Sequence, residues 1–142
     1  MATTFDAIKS IAASGMFAQR LRVQLAAANI ANVETTRTPQ GGPFRRKDAV
    51  FQTALLGATA DGMPVTGVQV ADIHASTDPF ISKYDPAHPD ADANGIVQYP
   101  NVNPVEEMVN LTEASRGFDA NVAVVRAVRT MTLSAQDLLR VT

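Results

Sequence analysis

The sequence predicts an α+β fold in which long N- and C-terminal α-helices pack as a coiled-coil-like pair, with a small β-rich middle domain between them. All eight prolines lie between Pro39 and Pro104, and six of the eight glycines lie between Gly41 and Gly95. Because proline and glycine punctuate loops and turns, the flanks can be long helices and the middle cannot. We therefore divide the chain into an N-terminal helical domain, a Pro/Gly-rich middle domain and a C-terminal helical domain, at residues 1–34, 35–102 and 103–142.

The N-terminal helix is predicted over about residues 5–32, which corresponds to a length of roughly 40 Å. Thr3 as N-cap and Asp6 three residues later resemble a capping box. Small and apolar residues then follow the alternating four–three spacing of a coiled-coil seam, which comprises Ile11, Ser14, Ala18, Leu21, Leu25, Ala28 and Asn32.

The C-terminal helix has the strongest local signal in the chain. Asn103 is a good N-cap, Pro104 suits the first helical position, and Glu106 at the third position completes a capping box. The helix is predicted to continue for about 50 Å. Its seam comprises Leu111, Ala114, Phe118, Asn121, Val125, Val128, Thr132, Ala135 and Leu139.

The middle segment has the pattern of short strands and turns. Residues 49–55 form a strand or a short helix, and the partial alternation at 65–73 favours a half-buried strand. A further short strand is predicted at 96–99, after the Asn94-Gly95 turn signal. Residues 85–90, rich in proline and aspartate, are predicted to form a loop of fixed shape.

Composition excludes several classes of function. The net charge is −2, from 14 acidic and 12 basic residues, so neither nucleic acid nor an anionic membrane is expected as a partner. The absence of cysteine excludes disulfides, thiolate catalysis and cysteine-based metal sites. No segment has the ~20 apolar residues needed to span a bilayer, and residues 1–9 do not begin a cleavable signal peptide.

The strongest candidate for chemistry is a group of oxygen and imidazole ligands near the middle of the chain, formed by His74, His88, Asp85, Asp90 and Asp92. Calcium would suit the three carboxylates, but their spacing differs from that of an EF-hand. The favoured interpretation is a surface loop in which aspartates accept hydrogen bonds from nearby backbone N–H groups. Ser76 and Ser82 lack a nucleophile elbow. We predict no catalytic residue, no metal and no cofactor.

Two other features have alternative interpretations. The basic run at residues 45–47 is interpreted as a solvated strand end, with contact to an acidic neighbour as the second choice. Gly117 inside the C-terminal helix costs ~1 kcal/mol relative to alanine. It indicates either a tolerated helix interior, or a hinge or close approach of another backbone.

The small residues in both seams suggest that one helix pair buries little area and is weakly held. Packing among several copies would share the cost of ordering, so the terminal helices are expected to be frayed in the monomer and ordered in an assembly. The alternative is a monomeric binding module in which the two flanks form an intramolecular helical hairpin. The seams alone leave both open.

Several motifs in the same order resemble the flagellar axial family of rod, hook and hook-associated proteins. Residues 28–32 (Ala-Asn-Ile-Ala-Asn) with Thr35-Thr36 are similar to its N-terminal motif. Residues 43–47 and 84–92 resemble segments of its FlgC-type rod proteins, and residues 100–103 with 107–109 resemble their C-terminal motif.

The resemblance implies a structural subunit of the proximal rod in the bacterial flagellar basal body, where it helps to transmit torque for motility. It implies type III export without a cleaved signal peptide, a periplasmic location, terminal helices in the axial core and a middle domain facing outwards. The implied partners are further copies of the chain and FlgB-, FlgF-, FliE- and FlgG-type subunits. From the seams and motifs together we expect an assembly interface formed by Ile11, Ala18, Leu21, Leu25, Ala28, Asn29, Asn32, Met108, Leu111, Phe118, Asn121, Val125, Val128 and Leu139.

Overall fold

The structure, a computed structural model, describes the backbone of residues 4–140 and the side chains of residues 4–137. Along the chain, one long helix is followed by four strands and then by a second long helix. This order confirms the predicted α+β class and the two terminal helices. The proposed Thr3 cap lies outside the described residues. The elements are α1 (Thr4–Ala31), β1 (Lys47–Ala58), β2 (Pro64–Ala75), β3 (Ile81–Tyr84), β4 (Ile96–Tyr99) and α2 (Pro104–Arg140).

The two helices form an antiparallel pair within one chain. A Cβ atom on Gly15 would lie 3.0 Å from the Asn121 side chain, and one on Gly117 would lie 3.0 Å from that of Gln19. The contact residue of α1 increases from 15 to 19 while that of α2 decreases from 121 to 117. The two helices therefore run in opposite directions. Both glycines therefore give room to a side chain of the opposite helix.

The core of the molecule is small and is made mostly of alanine. Because an alanine side chain buries little apolar area, the helix contact gains little from burial at ~25 cal/mol per Å². The buried apolar residues are Ala7, Ala12, Ala18, Ala26, Val65, Val97, Val102, Ala114 and Val128.

Strands β1 and β2 form an antiparallel two-stranded ribbon. This confirms strands at 49–55 and 65–73, and it decides between strand and helix for the first of them. The ribbon meets α1 at Gly67, where a Cβ atom would come 2.5 Å from both Ser14 Oγ and Leu56 Cδ1. The backbone N–H of Val68 donates to Ser14 Oγ at 3.1 Å. Helix α1 thus contacts α2 and both strands of the ribbon.

A second, smaller sheet pairs β3 with β4 in antiparallel register. Strand β4 confirms the prediction at 96–99, whereas β3 was not predicted. Gly95 takes the left-handed conformation, with φ of 75°, in the turn before β4. At the start of α2, Asn103 Oδ1 accepts a hydrogen bond from the Val105 N–H at 3.1 Å, as predicted for an N-cap.

Candidate functional site

Three segments of the chain meet at a buried group that we call the polar junction, formed by Asn29, Arg46, Glu107 and the backbone of Lys47. Asn29 and Glu107 are only 1% and 2% exposed. The Asn29 Nδ2–H group donates to Glu107 Oε2 at 3.0 Å and to the Lys47 carbonyl oxygen at 2.9 Å. The Lys47 N–H donates back to Asn29 Oδ1 at 2.9 Å. The Asn29 amide therefore bonds the first residue of β1 much as a neighbouring strand would.

Arg46 supplies the charge that balances the buried Glu107 carboxylate. Its Nε–H donates to Glu107 Oε1 at 2.7 Å, and its Nη1–H group donates to Asp48 Oδ2 at 3.2 Å. Burial opposes the charge on Arg46, but the hydrogen bonds and charges of Glu107 and Asp48 raise the pKa of its guanidinium above the ordinary value. Arg46 consequently remains cationic beside the Glu107 carboxylate.

The junction holds α1, the start of β1 and α2 in one register. The interpretation of residues 45–47 as a solvated strand end is wrong for Arg46, which forms an ion pair with buried Glu107. Arg45 is better described as a strand-end residue, since it is exposed and its guanidinium stacks 4.4 Å from the centre of the Phe80 ring. Every polar group of Asn29 and Glu107 named above is paired within the chain, so the arrangement is structural in character.

Of the fourteen residues expected at the assembly interface, the thirteen whose side chains the structure describes are buried, exposed or half-buried. The side chain of Leu139 lies outside the described residues. Three others are buried within the chain, namely Ala18, Asn29 and Val128. The exposed ones are Ile11 and Met108, and the half-buried ones are Leu21, Leu25, Ala28, Asn32, Leu111, Phe118, Asn121 and Val125.

Two asparagines of this set satisfy backbone groups of their own helices. Asn32 Nδ2 donates to the Ala28 carbonyl oxygen at 2.8 Å, where α1 ends. Asn121 Nδ2 donates to the Gly117 carbonyl oxygen at 2.9 Å, at the helix contact. Both side chains are thus bonded locally, and Asn121 also lies against Gly15 of α1.

Helix α2 carries a second apolar face that its own chain leaves uncovered. We call it the outward stripe, and its spacing of three and four residues is that of one helix face. Within the described part of the chain, α2 contacts α1 and no other helix or strand. The outward stripe comprises Ala120, Ala123, Val124, Ala127 and Met131, all of them exposed.

The aspartates of the middle loop act within the chain. Asp90 accepts a hydrogen bond from the Thr36 hydroxyl at 2.8 Å and lies 2.6 Å from the Arg37 guanidinium. Asp92 Oδ1 accepts from the backbone N–H groups of Asn94 and Ile96. Over residues 4–137, no group of three histidine or acidic side chains is placed to hold a metal ion. The loop is thus held by turns and by the segment that follows α1.

Sequence reasoning left Arg46 and Glu107 out of the expected site, although both lie in the motifs that carried the resemblance. Glu107 received no role because its neighbour Glu106 occupies the capping-box position. The available signal was the spacing of the α2 seam, because Glu107 lies four residues before Leu111 and seven before the buried Ala114, on the same helix face. No helix in the described part of the chain is both long and apolar enough to cross a membrane.

Comparison with known proteins identifies the family. The model of the family described as "Flagellar basal body rod FlgEFG protein C-terminal" matches residues 93–138. A flagellar basal-body rod protein FlgC from Borreliella burgdorferi is 41% identical, with 92% of this chain and 95% of the relative covered. FlgC proteins of Escherichia coli O6:H1 and Bacillus subtilis are 43% and 35% identical, over 92% and 96% of this chain and 95% and 98% of the relatives. The conserved length and identity show that the chain belongs to the FlgC family of flagellar basal-body rod proteins.

Proposed function

We infer that this chain, a structural rod subunit of the flagellar basal body and not an enzyme, assembles by packing the outer faces of its terminal helices against neighbouring subunits. The helix pair forms within each chain, and the polar junction fixes its register. The outward stripe on α2 is then presented for contacts between chains.

The observation that carries this proposal is the amount of surface the single chain exposes. Its accessible surface is 9580 Å². A compact monomer of 15.1 kDa is expected to expose about 7,100 Å². The difference of about 2,500 Å² falls in the range that obligate interfaces bury. Apolar side chains contribute to this surface on both helices, for example Phe17 and Met131.

The same proposal gives the three parts of the chain their roles. Residues 1–34 and 103–142 would contribute to the axial core of the rod, and residues 35–102 would face outwards. Partners would be further copies of the chain and FlgB-, FlgF-, FliE- and FlgG-type subunits. The chain would leave the cytoplasm by type III export, without a cleaved signal peptide. The expected interface residues would act in two ways, with the exposed Ile11 and Met108 touching neighbours and the buried members shaping the helix pair.

A substitution in the outward stripe tests the proposal. Val124 is 42% exposed, so Val124→Asp should leave the fold intact while it places an unpaired charge in a buried contact between chains. We expect incorporation into isolated basal bodies to fall at least about tenfold, which corresponds to about 1.4 kcal/mol, with loss of swimming.

Gln136→Asp is the matched control, because it adds the same charge at an exposed position on almost the opposite side of the same helix. Circular dichroism of both purified variants checks folding. Normal incorporation of Val124→Asp would contradict the proposal.

The alternative of a monomeric binding module is favoured by one observation, the helix pair formed within the chain. It predicts that the purified protein stays monomeric at all concentrations and that deletion of its gene leaves basal bodies complete. Sedimentation equilibrium and electron microscopy of basal bodies from the deletion strain distinguish the two proposals.

A further inference from the structure

We propose that the outward stripe of α2 receives α1 of a second copy of this chain, so that each α1 lies between its own α2 and that of a neighbour. The surface of α1 that makes this contact faces away from its own α2, and we call it the outer α1 face. This inference rests on the proposed function, and it names the partner surface that the proposed function leaves open. The outer α1 face comprises Ala13, Phe17, Arg20, Gln24, Ala27 and Ala31, all of them exposed.

The outer α1 face lies on the side of α1 opposite to the helix contact within the chain. Gly15 and Gln19 face α2, and Phe17 lies two residues from each of them. Two residues correspond to about 200° around a helix, so Phe17 is directed away from α2, and it is 62% exposed. The other members follow at spacings of three and four residues, which keeps them on the same side. The chain therefore presents two contact surfaces, one on each helix.

The outward stripe continues towards the start of α2 with the same helical spacing. Arg116, Glu113 and Val109 precede Ala120 by four, seven and eleven residues, so they share its helix face. All three are exposed, and Val109 is 53% exposed. This face of α2 is therefore apolar at both ends and charged in the middle.

The outer α1 face has the same order of apolar and polar parts. Its ends carry alanines and Phe17, and its middle carries an arginine and a glutamine. When the two faces are paired antiparallel with Phe17 opposite Ala120, Ala13 lies opposite Val124. Each of these two layers combines a large side chain with a small one, as a well-packed contact requires.

The remaining residues match in the same register. Val109 falls between residues 27 and 31, both of them alanine, so the second apolar end is covered as well. The polar middle brings Arg20 beside Arg116 and about one turn from Glu113, so that a carboxylate accompanies the two cations. None of these three residues forms an ion pair in the described part of the chain.

Other registers lose this match. A shift of one heptad in one direction places Arg20 opposite Val124, and a shift in the other direction places Phe17 opposite Glu113. Either shift buries a charged group against an apolar side chain, which is costly without a partner. The pattern over about 27 Å of each helix therefore favours one register. Because both matching faces belong to this sequence, a second copy is the partner, and a contact between two different faces can repeat from subunit to subunit along a rod.

Disulfide trapping in isolated basal bodies tests the pairing, because the chain contains no cysteine. Cells produce two versions of the chain together, one with Ala13→Cys and one with Val124→Cys. We expect mild oxidation to give a product of twice the mass of the chain, with positions 13 and 124 joined. The matched control combines Ala13→Cys with Gln136→Cys, an exposed position on almost the opposite side of α2, and should give no such product. Either version alone should also give none, since the contact joins two different faces.

Absence of the product from the first pair, although both versions are incorporated, would overturn the inference. A product from Ala13→Cys alone, or a disulfide from position 13 to a different protein only, would overturn it as well. The Val124→Asp experiment tests the outward stripe whatever covers it. Its result therefore separates a failure of the proposed function from a failure of this pairing.

A second measurement exchanges the sizes of two opposed side chains. Phe17→Ala should lower incorporation at least about tenfold, because it leaves a gap opposite Ala120. Phe17→Ala combined with Ala120→Phe restores one large and one small side chain in that layer, so we expect incorporation to recover. Both positions are exposed in the single chain, and circular dichroism should show that both variants fold. Normal incorporation of Phe17→Ala, or a double variant that does not recover, would refute the pairing.

Discussion

At the scale of single residues, the side-chain amide of Asn29 takes part in three hydrogen bonds that join three segments of the chain. It bonds both backbone groups of Lys47 and one oxygen of Glu107, so that α1, β1 and α2 share a single side chain. A buried amide or carboxylate is tolerated when each of its groups has a partner, and it is costly when one partner is removed. The polar junction should therefore contribute to specificity of register as well as to stability.

Replacement of Asn29 by alanine should destabilise the chain substantially. Asn29→Ala leaves Glu107 with one hydrogen-bond partner fewer and the Lys47 backbone groups without their side-chain partner. We expect the free energy of unfolding in urea to fall by about 2–3 kcal/mol.

The control for this experiment is Asp48→Asn, which removes the exposed charge that also contacts Arg46. Because exposed ion pairs contribute little, its effect should stay within about 0.5 kcal/mol. Equal effects of the two substitutions would show that the junction does not hold the three segments together.

The sequence brought Asn29 into the expected interface through a motif, but it did not indicate the partners of its side chain. Glu107 lies 78 positions from Asn29 and 61 from Arg46. Residues so far apart meet only through the packing of whole helices, which local propensity does not specify. The N-cap at Asn103 was predictable because its partner, the Val105 N–H, is two residues away.

At the scale of elements, the ribbon is positioned on α1 through a close approach at Gly67. The Ser14 hydroxyl accepts from the Val68 N–H and donates to the Ile11 carbonyl oxygen at 2.7 Å. The short serine side chain and the missing side chain at 67 together allow a helix and a strand to come within hydrogen-bonding distance.

A side chain at residue 67 should push the ribbon off the helix. Gly67→Val would overlap Ser14 Oγ and Leu56 Cδ1, since even a Cβ atom would lie 2.5 Å from both. We expect a loss of about 1–3 kcal/mol in unfolding free energy, measured by thermal and urea denaturation. Ala58→Val, at an exposed position of β1, is the control that should change stability little. A stable Gly67→Val protein with an unchanged spectrum would refute this contact.

Helices and long strands were predictable because their signals are long or sharply bounded. Flanks with one glycine each, and with no proline before Pro39 or after Pro104, the first residue of α2, allow helices of 28 and 37 residues. Strand β3 was missed because it has only four residues, with polar Ser82 and Lys83 in its centre. Its identity depends on pairing with β4, a contact that forms across the aspartate-rich loop.

At the scale of the whole molecule, the chain exposes more surface than a compact monomer of its mass would, and its buried core is small. Helix α2 is covered on one side only, and the buried residues of the helix contact are mostly alanines. Regions with few buried apolar contacts open locally at low free-energy cost. The distal part of α2 should therefore be the first part of the free chain to open.

Limited proteolysis with trypsin measures this opening. We expect cleavage of the free chain after the exposed Arg126 and Arg129 to precede cleavage after Arg46 by at least about tenfold. Arg46 serves as an internal control because its guanidinium is tied to Glu107. In isolated basal bodies the same α2 sites should be protected. Equal cleavage rates at the three arginines in the free chain would contradict this account.

The antiparallel direction of the helix pair has a practical consequence for labelling the protein in cells. The start of α1 and the end of α2 lie at the same end of the pair, near the outward stripe. An affinity tag or fluorescent protein attached at the start of α1 or at the end of α2 would therefore begin at the same end of the helix pair. The turn at residues 38–42, exposed at Gly41 and Gly42 with open space around both, offers an insertion point for an epitope at the other end of α1.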